Sequence, residues 1–218
     1  MLLGVNVLIA GALAMGLFGP SQNEVWSQIA RDIGGEHIES GFWQEGSLRY
    51  RHSGWEILLD TYTETHSSGE STTSSTYTRM RSPYISQSNF SFKLYREGFF
   101  SGIGKLFGGQ DIEIGDSFFD SEFIIKSNRP EMVIQLLSNA KLRKLIQQQP
   151  NIHLEIKDND GFWQNRLPAG TRELYFRCDG VIRETRLLKS LFELFCRTLD
   201  QLVELRVAAV DSPNIRLR

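Results

Sequence analysis

Asp111, Glu113, Asp116, Asp120 and Glu122 form the densest cluster of groups in this sequence that could do chemistry. On extended chain Asp111 and Glu113 share a face, and so do Asp120 and Glu122. Paired carboxylates can act as general acid and base, or can hold a divalent metal. A calcium loop needs oxygen ligands at alternate positions and a glycine at the sixth, and Ile114-Gly115 breaks that spacing. Asp111, Glu113 and Asp116 stand as the metal candidates, beside the plainer reading of a solvated strand face. Arg79 and Arg81 have the same parity on a strand and so the same face, where they could grip an anion or simply be solvated.

Other motifs fail on spacing. Gly104-Lys105 invites a phosphate loop, but Phe99 stands where the first glycine belongs and Leu106 where Ser or Thr must follow the lysine. Gly102 and Gly104 lack the third glycine of a dinucleotide fingerprint, since position 107 is Phe. No serine sits in a nucleophile elbow. The histidines, His37, His52, His66 and His153, are scattered without metal-like spacing. Cys178 and Cys196 are too few for a disulfide framework or a zinc ribbon. No cofactor is expected. A formal net charge of -2 argues against a nucleic-acid partner held by a basic field.

The glycine-rich run from Gly98 to Gly109 also carries Phe99, Phe100, Ile103, Leu106 and Phe107. On a helix these five fall on one apolar face, with Lys105 beside it, a pattern suited to lying in a lipid interface. The same side chains could instead be buried in a loop that covers the core. Residues 2–18 hold no charge and end at Gly19-Pro20, so residues 1–20 are expected to be a hydrophobic anchor, a single-pass helix. A cleaved signal and a buried core helix are the alternatives.

The elements that must position these groups follow from periodicity. Ser21 or Asn23 caps a helix with Val25, Trp26, Ile29 and Ile33 on one stripe, stopped at Gly34-Gly35. A period of two then predicts strands over about 37–44, 47–51, 55–65, 72–80 and 89–96, with a Ser/Gly-rich hairpin tip over 66–71. Residues 118–127 read as a further strand, followed by two short helices starting at Asn128 and Asn139. Two more strands alternate Ile152, Leu154 and Ile156 with His153, Glu155 and Lys157, and Leu174, Phe176 and Cys178 with Glu173, Tyr175 and Arg177. The last element is a helix over about 182–207. Its stripe of Leu188, Phe192, Phe195, Leu199 and Leu202 suits packing across a sheet, or a dimer seam.

Two blocks carry a resemblance: Tyr77-Thr78-Arg79-Met80-Arg81-Ser82-Pro83, and Gln110-Asp111-Ile112-Glu113-Ile114-Gly115-Asp116 with Phe119-Asp120-x-x-Phe123-Ile124-Ile125. In these the chain resembles an uncharacterised bacterial family of membrane-anchored α+β proteins. The resemblance implies a membrane-associated bacterial protein and supplies no catalytic residues. A chain with 40% hydrophobic and 23% charged residues is long and apolar enough for one sizeable domain. The expected architecture is α+β: residues 21–218 as a single domain of mostly antiparallel sheet with a long C-terminal helix packed on it, behind an N-terminal transmembrane helix. Lobes at 35–97 and 110–210 are one subdivision of it. The expected function is non-catalytic binding or scaffolding at a membrane, with lipid and a protein as partners and the oligomeric state open. The alternatives are a metal-dependent or acid/base hydrolase using the Asp111–Glu122 carboxylates, and a lipid or small-ligand carrier.

Overall fold

The structure is a computed structural model that describes residues 20–39, 41, 46–69, 71–96, 111–157 and 167–217. Helix α1 (Gln22–Ile33) begins where its sequence cap says it should. The Ser21 hydroxyl accepts the Glu24 N–H at 3.2 Å, and the Glu24 carboxylate accepts the Ser21 N–H at 2.7 Å. Gly34 ends the helix at φ 73, a left-handed position that suits glycine.

Eight strands follow: β1 (Glu36–Ile38), β2 (Ser47–His52), β3 (Trp55–Ser68), β4 (Ser71–Ile85), β5 (Phe92–Arg96), β6 (Phe123–Ser127), β7 (His153–Lys157) and β8 (Thr171–Asp179). They make one sheet in the order β1-β2-β3-β4-β8-β7-β5-β6, and every pairing between these strands is antiparallel. One row of paired positions crosses seven strands as Leu48, Leu59, Met80, Phe176, Leu154, Leu94 and Ile125. All seven are buried in the core. Each such side chain contributes about 1.5–3 kcal/mol relative to an exposed one.

All five described helices supply the other half of that core: α1, α2 (Ser117–Glu122) through Phe119, α3 (Pro130–Leu137), α4 (Ala140–Gln148) and α5 (Thr185–Glu204). Leu188, Leu191, Phe192, Phe195, Leu199 and Leu202 of α5 are all buried within the single chain, Phe195 completely. Tyr50 of β2 meets Phe192 edge-on, with ring centroids 6.0 Å apart. Beyond α5 the chain wraps the end of the sheet. Ala209 N–H donates to Ile85, and a Cβ on Gly54 would meet Ser212 Cβ at 3.6 Å. Leu217 ends on the opposite face, where its N–H donates to Glu56 Oε1 and Arg49 donates to its carbonyl, both at 2.7 Å.

Three expectations need correction. The expected architecture, one long C-terminal helix on a sheet behind a transmembrane helix, gives way among the described residues to an eight-stranded antiparallel sheet accompanied by five helices. The transmembrane helix, and with it the single-pass membrane localisation, is not supported, because among the described residues no helix is long and apolar enough to cross a membrane. The longest, α5, carries Arg186, Lys189, Glu193, Arg197 and Glu204 along its length. The expected anchor lies in residues 1–20, of which 1–19 are outside the described residues. Finally, the strand expected over 118–127 begins as a helix, α2 (Ser117–Glu122), and turns into β6 only at Phe123. Asp116 caps it by accepting the Phe119 N–H at 3.2 Å, and Phe119 packs on Phe123 with ring centroids 4.6 Å apart.

Candidate ligand face on the sheet

One residue along each strand from the apolar row, side chains point to the other face. On one side of it runs Ser47, Asp60, Arg79, Arg177, His153 and Tyr95. On the other side runs Arg49, Leu58, Arg81, Tyr175, Glu155, Lys93 and Lys126. This face carries charge, yet Asp60 is only 8% exposed, Arg81 6%, His153 3% and Glu155 4%. Charges so far from water persist only when they are paired.

Asp60 is the anion of the first cluster. Arg79 binds it through two nitrogens, each at 2.8 Å, and Arg81 binds the second oxygen at 2.9 Å. The two-point contact matches the planar guanidinium to the carboxylate. Burial works against the charge on Arg79, but Asp60 outweighs it and raises the guanidinium above its ordinary value. Arg79 also lies over the Tyr62 ring at 4.9 Å, and Arg177 over Tyr77 at 5.2 Å. Tyr62 and Tyr77 are themselves stacked, with centroids 5.1 Å apart. Arg177 donates to the Tyr62 hydroxyl at 3.2 Å and stands 3.9 Å from Glu64.

Glu155 is the anion of the second cluster. It lies 3.2 Å from Lys93 and 3.4 Å from both His153 and Lys157. Burial alone would raise its pKa, but the imidazole and the two lysines prevail and hold it at about 2. Burial lowers His153 against the pull of Glu155, and lowers Lys157 in the same way. The Lys157 ammonium sits 3.1 Å from the centroid of Tyr175, whose hydroxyl burial pushes up. Glu173 lies between the clusters in register, and burial raises it despite Arg81, Lys157 and Arg79 nearby.

Arg79 and Arg81 therefore meet on one face and share one carboxylate. The acidic set does not assemble. Asp111 pairs with Lys126 at 2.5 Å, and Glu113 is exposed. Asp116 caps α2 and binds Arg143 at 3.1 Å. Asp120 accepts the Ile114 and Gly115 N–H groups at 2.9 and 3.1 Å, fixing a turn in which Gly115 has φ 85. Glu122 lies 3.4 Å from Arg96. Among the described residues no three of His, Cys, Asp or Glu converge as metal ligands. Phe99, Phe100, Ile103, Lys105, Leu106 and Phe107 lie outside the described residues.

Sequence reasoning missed Asp60, His153, Glu155, Lys157, Glu173, Tyr175 and Arg177 as members of one site. The available signal was the alternation of charged residues at period two on strands that became neighbours. No family model matches the chain, and no characterised protein or solved structure is significantly similar to it.

Proposed function

We propose that this chain is a non-catalytic binding module that takes a carboxylate- or phosphate-bearing ligand on the charged face of its sheet. The observation that carries the reading is the placement of Arg79 directly opposite Arg177 across β4 and β8. Like charges at opposed positions destabilise a sheet. Both side chains keep a fifth to a quarter of their surface in contact with solvent, so an anion can reach them. Tyr62 and Tyr77 lie beneath the guanidinium groups, fix their planes and limit the entropy lost on binding. The hydrolase alternative draws no comparable support, because Asp111, Asp116, Asp120 and Glu122 already hold local structure.

The test is titration of the protein with inorganic phosphate and with citrate, followed by amide chemical shifts. The expected result is saturable shifts confined to β3, β4 and β8, weakening as salt rises. Arg177→Gln should reduce affinity at least tenfold at an unchanged melting temperature. Shifts that are absent, or that survive Arg177→Gln, would overturn the reading.

A further inference from the structure

The hairpin of β3 and β4 is longer than its neighbours. β2 pairs with β3 only over residues 55–60, and β8 pairs with β4 only over residues 78–85. Residues 61–68 and 71–77 thus stand off the sheet as a two-stranded ribbon, about 25 Å long at about 3.3 Å per residue. The outer edge of β4 is covered at its root, where Gly180 N–H donates to the Thr76 carbonyl at 2.8 Å. The outer edge of β3 over 61–68 has no strand beside it among the described residues.

Exposed edges are normally blunted by lysine, proline or a bulge. The β3 edge has none of these over 61–68, and its only charged or titratable side chains besides Tyr62 are Glu64 and His66. Three of its hydroxyls are laddered across the ribbon: Thr63 to Thr76 at 3.0 Å, Thr65 to Ser74 at 3.1 Å and Ser67 to Thr72 at 3.4 Å. An edge with no strand beside it among the described residues is a template for another strand.

We propose that the strand it takes is the same edge of a second copy of this chain, antiparallel about a two-fold axis at Thr65. Opposed residues in an antiparallel pair point to one face, so a two-fold axis must pass through a residue position and not between two. Two such registers pair nearly the whole free edge. Centred on Glu64, the pairing sets two carboxylates opposite each other. Centred on Thr65, it sets Glu64 of each copy opposite His66 of the other, Thr65 opposite Thr65, and Thr63 opposite Ser67. Charge decides for the second, which also extends the hydroxyl ladder across the new seam. His66 and Glu64 face each other within one chain at 3.7 Å, and Arg177 is the further charge near Glu64 at 3.9 Å.

The experiment is sedimentation velocity on the full chain across a thousandfold range of concentration, with hydrogen exchange at the two ends of that range. Wild type is expected to dimerise, with residues 61–68 gaining protection as concentration rises. Glu64→Lys sets lysine opposite His66 and should weaken the dimer at least tenfold at unchanged melting temperature. Glu64→Lys/His66→Glu exchanges the charges and should restore it. A monomer at every concentration, a dimer indifferent to Glu64→Lys, or no restoration by the exchange would overturn the proposal.

Discussion

The indole N–H of Trp26 donates to the carbonyl of Ile182 at 3.1 Å, joining α1 to the segment that leads into α5 across 156 residues of sequence. The N–H of Ile182 is held as well, donating to Thr78 Oγ1 at 2.9 Å. Both main-chain groups of Ile182 are therefore held, the carbonyl by an indole and the N–H by a central strand. Trp26→Phe keeps most of the ring and strands the carbonyl, so it should cost about 1–3 kcal/mol. Trp26→Ala adds the cavity and should cost about 3–5 kcal/mol. Urea denaturation of both variants checks the difference, and equal losses would mean that packing alone matters.

Phe195 gives a simpler test of the helix layer. It is fully buried within one chain, so Phe195→Ala should destabilise by about 3–5 kcal/mol at any protein concentration. A loss confined to dilute solution would point instead to a seam between copies.

Acid should unfold the protein through the Glu155 cluster. Glu155 is held at about 2 in the fold against an ordinary 4.5, so the unfolded chain takes up its proton first as pH falls. Its stabilisation is complete above 4.5 and is lost between 4.5 and about 2. His153 acts in the same direction from higher pH. Its folded pKa lies below 6.5, so protonating the unfolded chain withdraws stability as pH drops through 6.5. Denaturation midpoints at a series of pH values should show a decline that begins near 6.5 and steepens below 4.5. Glu155→Gln should flatten the lower limb and lower the plateau.

The C-terminal wrap depends on one ion pair. Arg49 and Glu56 lie 2.8 Å apart, and together they hold both main-chain groups of Leu217. Glu56→Ala should release residues 211–217 from the sheet. Limited proteolysis would read this as faster cleavage after Arg216 with the remaining core intact.

Much of this fold was legible in local pattern. Ser21, Glu24 and Gly34 bracket α1 because capping chemistry acts within a few residues. The stripe of α5 and the alternation in β5, β7 and β8 name the side chains that face the apolar core, including Cys178, because periodicity alone sets the face. The start of β6 was misread because Phe118 to Phe123 fits a strand by composition, while the Asp116 cap and the Phe119–Phe123 stack favour a helical turn. The charged face was illegible for a different reason. Glu155 reads as a solvated residue on an alternating strand, and its partner Lys93 belongs to a strand 62 positions earlier (155 − 93). Asp60 is joined to Arg79 and Arg81 by the hairpin, but nothing local brings Arg177 or Tyr175 beside them. Only the strand order does that.

That strand order also dictates a sequence of events. β8 lies between β4 and β7, so the sheet is joined through a strand that ends at Asp179. Until that strand emerges during synthesis, β1 to β4 can form as successive hairpin neighbours, and β7 can join β5 and β6, with no strand pairing between the two groups among the described residues. In that interval β4 and β7 each present an unpaired inner edge, the kind of surface on which nascent chains aggregate. Closing it requires a contact between residues near 80 and residues near 176, a long loop whose closure slows folding. The nascent chain therefore has a window of vulnerability that shuts only when β8 inserts.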